Sequence, residues 1–209
     1  MNPARAYAEL RRLDRQVFTT REAAALWRGE QTSASRRLGG LEKAGLVRRI
    51  QRGLWALDPE IDPRVVGPYL TAPLPSYVSL FSALAEHGMI EQLPRQISLV
   101  SLGRPRRIVT SLGAYLVHQV VPELFGGFEG TERSGYLARP EKALFDLVYV
   151  RAAAGSRAHL PELSLPEGFD RGGLNRWSER IESQRLRTLV ARRLRELLRE
   201  AEAALGPGG

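Results

Sequence analysis

The chain has 209 residues, 43% hydrophobic and 26% charged, with 31 Lys and Arg against 23 acids for a net charge of +8, and it contains no cysteine. That apolar content suffices for one large domain or two small ones with a core, while the missing thiols exclude disulfides, thiolate nucleophiles and thiolate zinc sites. No apolar run nears the roughly 20 residues that span a bilayer, and Met1-Asn2-Pro3-Ala4-Arg5 lacks the apolar core of a signal peptide, which predicts a cytoplasmic protein.

Residues 17–57 read as a winged helix-turn-helix. Phe18-Thr19-Thr20-Arg21-Glu22 carries a capping box, with Thr19 and Glu22 placed to satisfy each other's backbone amides at the start of a helix. Gly29-Glu30-Gln31 breaks it, and a second helix is predicted to begin at a Thr32 cap, with Ala34, Leu38, Leu41 and Gly45 on its apolar side. At 100° per residue, Thr32, Arg36, Gly39 and Lys43 point farthest from that stripe, flanked by Ser33, Ser35, Arg37 and Gly40. Gly39-Gly40 is costly inside a helix, at roughly 1 kcal/mol each relative to Ala. Either the backbone there approaches a ligand closely or the helix is shorter.

Gly45 suits the left-handed position that closes a helix. After it, residues 46–57 predict a β-hairpin with its tip at Gln51-Arg52-Gly53. In this layout the second helix enters a DNA major groove and the hairpin follows the phosphates; winged helices also serve as protein-binding modules. Residues 1–58 hold twelve Lys and Arg against six acids, six of the eight net positive charges. Such a field attracts a polyanion and makes binding weaken steeply with salt. The predicted DNA-contacting residues are therefore Thr32, Ser33, Ser35, Arg36, Arg37 and Lys43 on the helix and Arg48, Arg49 and Arg52 on the wing.

Five prolines between Pro59 and Pro75 mark a connector over 59–75, in which Val65, Val66, Tyr69 and Leu70 can pack a short helix. Beyond it, residues 76–209 predict a mixed α/β domain. Ser79 caps a helix through Leu80, Phe81, Ala83, Leu84 and His87, closed by Gly88. A strand is expected over 96–102, then a hairpin of 106–110 and 114–121 across Ser111-Leu112-Gly113, then a short strand over 136–138. Pro140 opens a helix that turns Ala143, Leu144, Leu147 and Val148 to a core, with Glu141 at the positive end of its dipole. From Gly173 onward Leu174, Trp177, Ile181, Leu186, Leu189, Leu194, Leu197 and Leu198 recur at helical spacing among many Arg and Glu, as one long amphipathic helix or two. That stripe serves either internal packing or a dimer or partner surface. Gly206-Pro207-Gly208-Gly209 reads as a frayed end.

Constellations with reactive potential are sparse. His87, His118 and His159 stand apart, without metal-ligand spacing. Glu141, Lys142 and Asp146 read as helix-terminus electrostatics on a solvated face, since no second acidic motif accompanies them. Gly155-Ser156 is followed by no Asp-x-Asp pair to hold magnesium, and no phosphate loop ending in Lys-Ser or Lys-Thr exists. The expectation is a binding protein with no catalytic residues, no metal and no cofactor. Its fold class is α+β: a winged helix-turn-helix over 1–58, the connector over 59–75, and a mixed α/β domain over 76–209 ending in a long amphipathic helix.

Three segments in order after the predicted winged helix carry a family resemblance: Tyr77-Val78-Ser79-Leu80-Phe81-Ser82-Ala83-Leu84-Ala85-Glu86-His87-Gly88, Val121-Pro122-Glu123-Leu124-Phe125-Gly126-Gly127-Phe128, and Leu137-Ala138-Arg139-Pro140-Glu141-Lys142-Ala143-Leu144-Phe145-Asp146-Leu147. Over about residues 15–150 the chain resembles the AbiEi antitoxins of type IV toxin-antitoxin systems, with Arg139 where a Thr is common. The resemblance implies a protein that binds double-stranded DNA at inverted repeats in its own promoter and represses the operon. It further implies that the C-terminal domain opposes a cognate nucleotidyltransferase-like toxin, in many members without a stable complex. Onto this sequence it carries Arg36 and the wing residues Arg48, Arg49 and Arg52 as DNA-contacting positions; the segments Ser79-Leu80-Phe81-Ser82-Ala83-Leu84 and Pro140-Glu141-Lys142-Ala143-Leu144-Phe145-Asp146-Leu147 read as scaffold, because their apolar positions have helical spacing. The alternative expectation is a winged-helix transcriptional regulator with a ligand-sensing or dimerising C-terminal domain.

Overall fold

The computed structural model describes residues 2–156 and 162–204. His159 and the Gly206–Gly209 end, both singled out above, lie outside the described residues. The protein is mixed α+β, with eight α-helices and two sheets among the described residues.

Helix α1 (Pro3–Arg11) starts where the Asn2 side chain accepts from the Ala4 amide and Pro3 supplies a preset φ. Strand β1 (Val17–Thr19) leads into α2 (Thr20–Leu26), and the capping box is present: the Glu22 amide donates to Thr19 Oγ1 at 3.1 Å and the Thr19 amide to Glu22 Oε2 at 2.7 Å. Helix α3 spans Gln31–Lys43, straight through Gly39-Gly40, so the shorter helix is excluded. It begins one residue before the predicted cap. Glu30 holds the cap position without a side-chain cap bond, and Thr32 lies in the first turn. Gly45 takes φ +69° where α3 closes. Strands β2 (Arg48–Gln51) and β3 (Leu54–Ala56) form the hairpin, Gln51 pairing with Leu54 so that the turn tightens to Arg52-Gly53, with Gly53 at φ +81°. The sheet order is β1-β3-β2, all antiparallel.

This small sheet is buried on both faces, and the two-residue period of a strand explains how. Phe18 and Trp55 face a core of Ala6, Leu10, Ala23, Leu38 and Leu41 from the three helices and Val47 just before β2. Their neighbours Val17, Ile50, Leu54 and Ala56 face the other way, onto Ile61, Val65, Val66 and Leu70 of the connector and Val78, Leu99, Tyr115 and Val117 beyond it. One apolar cluster thus runs continuously across residues 59–75. The connector contributes a 3-10 turn (Pro63–Val66) and α4 (Gly67–Thr71), the short helix expected from its apolar residues.

The second sheet has six strands: β4 (Ser76–Val78), β5 (Ile97–Ser101), β6 (Arg106–Thr110), β7 (Gly113–Gln119), β8 (Phe128–Thr131) and β9 (Gly135–Ala138), ordered β6-β7-β5-β4-β9-β8. β5–β7 and β4–β9 are parallel and the remaining pairs antiparallel. Strands β4 and β8 escaped the sequence reading, being three and four residues long with no clean alternation. On the face opposite the connector lie α5 (Leu80–Glu86), α6 (Pro140–Ala153), α7 (Arg171–Glu179) and α8 (Gln184–Ala204), around a core that includes Tyr77, Val100, Leu144, Leu174 and Leu194. The C-terminal stripe is therefore two helices, and its apolar side is packed internally. No helix among the described residues is long and apolar enough to cross a membrane.

Candidate nucleic-acid interface

The core-facing side of α3 is fixed by Ala34, Leu38 and Leu41, all buried. Everything opposite must face outward, and Thr32, Ser33, Ser35, Arg36, Gly40 and Lys43 are exposed. Among the described residues, the side chains of Arg36, Lys43 and Arg52 have no carboxylate within ion-pair distance and donate no hydrogen bond. Thr32 Oγ1 reaches Glu30 Oε2 at 3.4 Å. A Cβ built on Gly39 or Gly40 would meet nothing within 4 Å. The two glycines therefore leave a bare strip of helix backbone beside Arg36 and Lys43.

Three of the six predicted cations are engaged within the molecule. Arg37 is half-buried, its guanidinium 4.8 Å from the centre of the Trp27 ring. Arg49 is exposed but leans over Trp55 at 5.7 Å, and its amide donates to Glu42 Oε1 at 3.0 Å. Arg48 departs furthest from a wing role: it donates to the Pro59 carbonyl at 3.1 Å and to the Ser111 carbonyl at 3.0 Å. The turn between β6 and β7 returns the grip, since the Ser111 amide donates to the Ile50 carbonyl and its hydroxyl to the Arg49 carbonyl, at 3.0 and 2.6 Å. Arg48 is thus a clip between hairpin and second sheet, and Arg52 at the hairpin tip is exposed without an ion pair among the described residues. Sequence reasoning passed over Arg28, exposed at φ +50° in the turn before α3. Its only signal was its place next to Gly29.

A second polar centre lies in the other core. Glu141, Lys142 and Asp146 were expected on a solvated helix face, and all three are buried. The sheet, α5, α7 and α8 surround α6, so residues 141–149 have no solvent side. Asp146 Oδ2 accepts from Tyr77 Oη at 3.0 Å and Ser79 Oγ at 2.7 Å, while Oδ1 pairs with the Lys142 ammonium. That ammonium also faces the ring of Trp177 at 4.5 Å and of Phe145 at 5.1 Å. Ser79 stands at the cap position of α5 as expected, yet its hydroxyl caps nothing because Asp146 takes it. Gly127, at φ +71°, lets the chain close over the lysine: a Cβ there would fall 2.6 Å from the Trp177 ring and 2.9 Å from Lys142 Cγ. Burial pushes the Lys142 pKa down and that of Asp146 up, and burial with the adjacent Asp146 charge pushes the Tyr77 phenol well up. The arrangement pins β4 to α6 and α7, and it is shut off from solvent. The pattern was readable in one respect: Lys142 and Asp146 lie at i and i+4 in a helix otherwise apolar from Ala143 to Val148.

His87 Nε2 lies 2.7 Å from the Ala138 carbonyl, and burial lowers the pKa of His118 in β7. Among the described residues no group of His, Asp or Glu side chains converges at metal-binding spacing. No family model matches the chain, and no curated protein matches it significantly.

Proposed function

We propose that this chain is a DNA-binding antitoxin that represses its own operon. In this reading residues 1–58 are a winged helix-turn-helix, α3 is its recognition helix and the β2–β3 hairpin its wing. The observation that carries the reading is the exposed, unpaired set Arg36, Lys43 and Arg52 beside the bare backbone of Gly39-Gly40. Unpaired arginines are the groups that form bidentate bonds to guanine edges and phosphates, and a helix without side chains at two surface positions can approach a groove wall closely. Thr32, Ser33 and Ser35 add hydroxyls on the same exposed side.

The opposition to a nucleotidyltransferase-like toxin rests on the resemblance to the AbiEi antitoxins alone. A binding role rather than catalysis is supported by the withdrawal of Ser79, Lys142 and Asp146, each without exposed surface. Titrating labelled promoter duplex at several salt concentrations tests the DNA arm. Arg36→Ala is expected to weaken specific binding by about 1–3 kcal/mol, whereas Arg52→Ala weakens binding to every sequence and lowers the salt slope by about 1. Affinity independent of salt would sink the reading. Co-expression with the product of the adjacent gene tests the antitoxin arm, restored growth being the expected result.

One observation favours the regulator with a ligand-sensing domain as the second reading. A cavity of about 190 Å³ is lined by Val65, Pro68, Tyr69, Glu132 and Tyr136, where the connector meets the β8–β9 hairpin. A small molecule that raises the melting temperature and shifts operator affinity, with Tyr69→Ala abolishing both effects, would decide for it.

A further inference from the structure

The cavity of about 190 Å³ between the connector and the β8–β9 hairpin has walls whose chemistry selects among ligands. On the connector side Val65, Pro68 and Ala72 contribute apolar surface and Tyr69 a half-buried ring; on the hairpin side stand the half-buried Tyr136 and the exposed Glu132. An engineered apolar cavity of roughly 150 Å³ takes up benzene, so this one suits a single molecule slightly larger than that.

Both walls are fixed by contacts of their own. Gly135 sits at φ +77°, and a Cβ there would fall 3.1 Å from the Arg64 carbonyl oxygen, so the hairpin backbone is packed close against the connector. The Thr131 amide donates to Ser134 Oγ at 2.9 Å in the hairpin turn, and the Tyr136 ring meets Phe128 edge-on at 5.6 Å. Walls held in this way cost a ligand little ordering on entry.

The charge at the cavity is negative in a chain of net charge +8. Arg133, next to Glu132, pairs with Asp14, and Arg15 pairs with Glu22 at 3.1 Å. Glu132 has no ion pair among the described residues. Burial and the Glu132 charge push the Tyr69 phenol up, against the opposing pull of Arg15, so that carboxylate lies within electrostatic reach of the ring.

We propose that this cavity binds a small alkylammonium ion. Aromatic faces attract ammonium groups through the ring quadrupole, most strongly where water is excluded. The apolar residues cover the alkyl carbons, and Glu132 supplies the counter-charge. An anionic ligand would meet Glu132 in a lining that holds no Lys, Arg or His. A bare divalent cation needs several oxygen ligands, and a single carboxylate does not supply them. The assignment deepens the ligand-sensing reading above and rests on its cavity.

The test is isothermal titration calorimetry of the full-length protein with choline, with tetramethylammonium, and with the neutral isostere of choline that has carbon in place of nitrogen. Both cations are expected to bind, and the isostere about tenfold or more weakly than choline. Tyr69→Leu should weaken choline binding about threefold or more, while Tyr69→Phe, which keeps the ring face, retains it. Glu132→Gln should weaken it about threefold to fivefold, the range that an exposed charge supports. Because Glu132 is exposed, that variant is expected to melt at the wild-type temperature, and it decides the matter if Tyr69→Leu fails to fold. Equal affinity for choline and its isostere would overturn the proposal, as would no heat with either cation or undiminished choline binding in Glu132→Gln. If choline binds as expected while operator affinity stays constant, the cation site stands and the ligand-sensing reading fails. If only the neutral isostere binds and shifts operator affinity, that reading survives and the proposal fails.

Discussion

Asp146 accepts from two hydroxyls and pairs with an ammonium in a site closed to water, so removing one partner strands a charge where nothing can solvate it. Lys142→Met is expected to cost about 3–5 kcal/mol in urea unfolding at neutral pH. Lys142→Met with Asp146→Asn should cost clearly less, because the charge leaves with its partner while an acceptor remains for Tyr77 and Ser79; equal losses would argue against a buried ion pair. His118 makes a pH prediction. Burial lowers its folded pKa below 6.5, so between those two values the unfolded chain binds more protons and unfolding is favoured as pH falls. Stability should therefore be retained above about pH 6.5 and decline through that window on acidification, and His118→Gln should reduce this slope in urea midpoints measured from pH 7 to pH 5. Neither result was foreseeable from composition. A lysine and an aspartate four apart look the same on a solvated face and in a closed core.

Helix α3 sets two demands against each other. Gly39 and Gly40 lie in an unbroken helix with open space where a Cβ would stand. Replacing either by Ala should raise stability by up to about 1 kcal/mol, read from urea or thermal unfolding. If the bare backbone is the surface a groove wall approaches, the same substitutions weaken duplex binding; stabilised variants with undiminished affinity would remove that role. Local signals read this region well. The Thr19–Glu22 box, the positive φ at Gly45 and Gly53, and the β6–β7 hairpin are each determined within a few residues, where sterics and backbone hydrogen bonds act directly. The start of α3 shows the limit: Thr32 is a good cap residue, but the chain leaving Gly29 puts Glu30 in that position. The hairpin arginines were legible as basic, but not whether each is free, since what occupies Arg48 is a carbonyl 63 residues away.

Across the whole molecule, the cluster that joins Val17, Ile50 and Leu54 to Leu99, Tyr115 and Val117 couples residues 1–58 to the six-stranded sheet. Arg48 and Ser111 clip the same junction, and Arg133 pairs with Asp14 across it. The two sheets should therefore unfold together. In a Trp177→Phe variant the remaining tryptophans, Trp27 and Trp55, report on residues 1–58 alone, and their urea midpoint should coincide with that from circular dichroism of the whole chain; separate midpoints would refute the coupling. A sequence acting through near neighbours decided the capped helices, the hairpins, the apolar stripe of α8 and the cationic bias of the N-terminal quarter. Tertiary structure alone decided which charges are spent and which are free. Burial depends on what packs around a side chain, and the partners of Arg48, Ser79 and Asp146 come from elements distant in the chain.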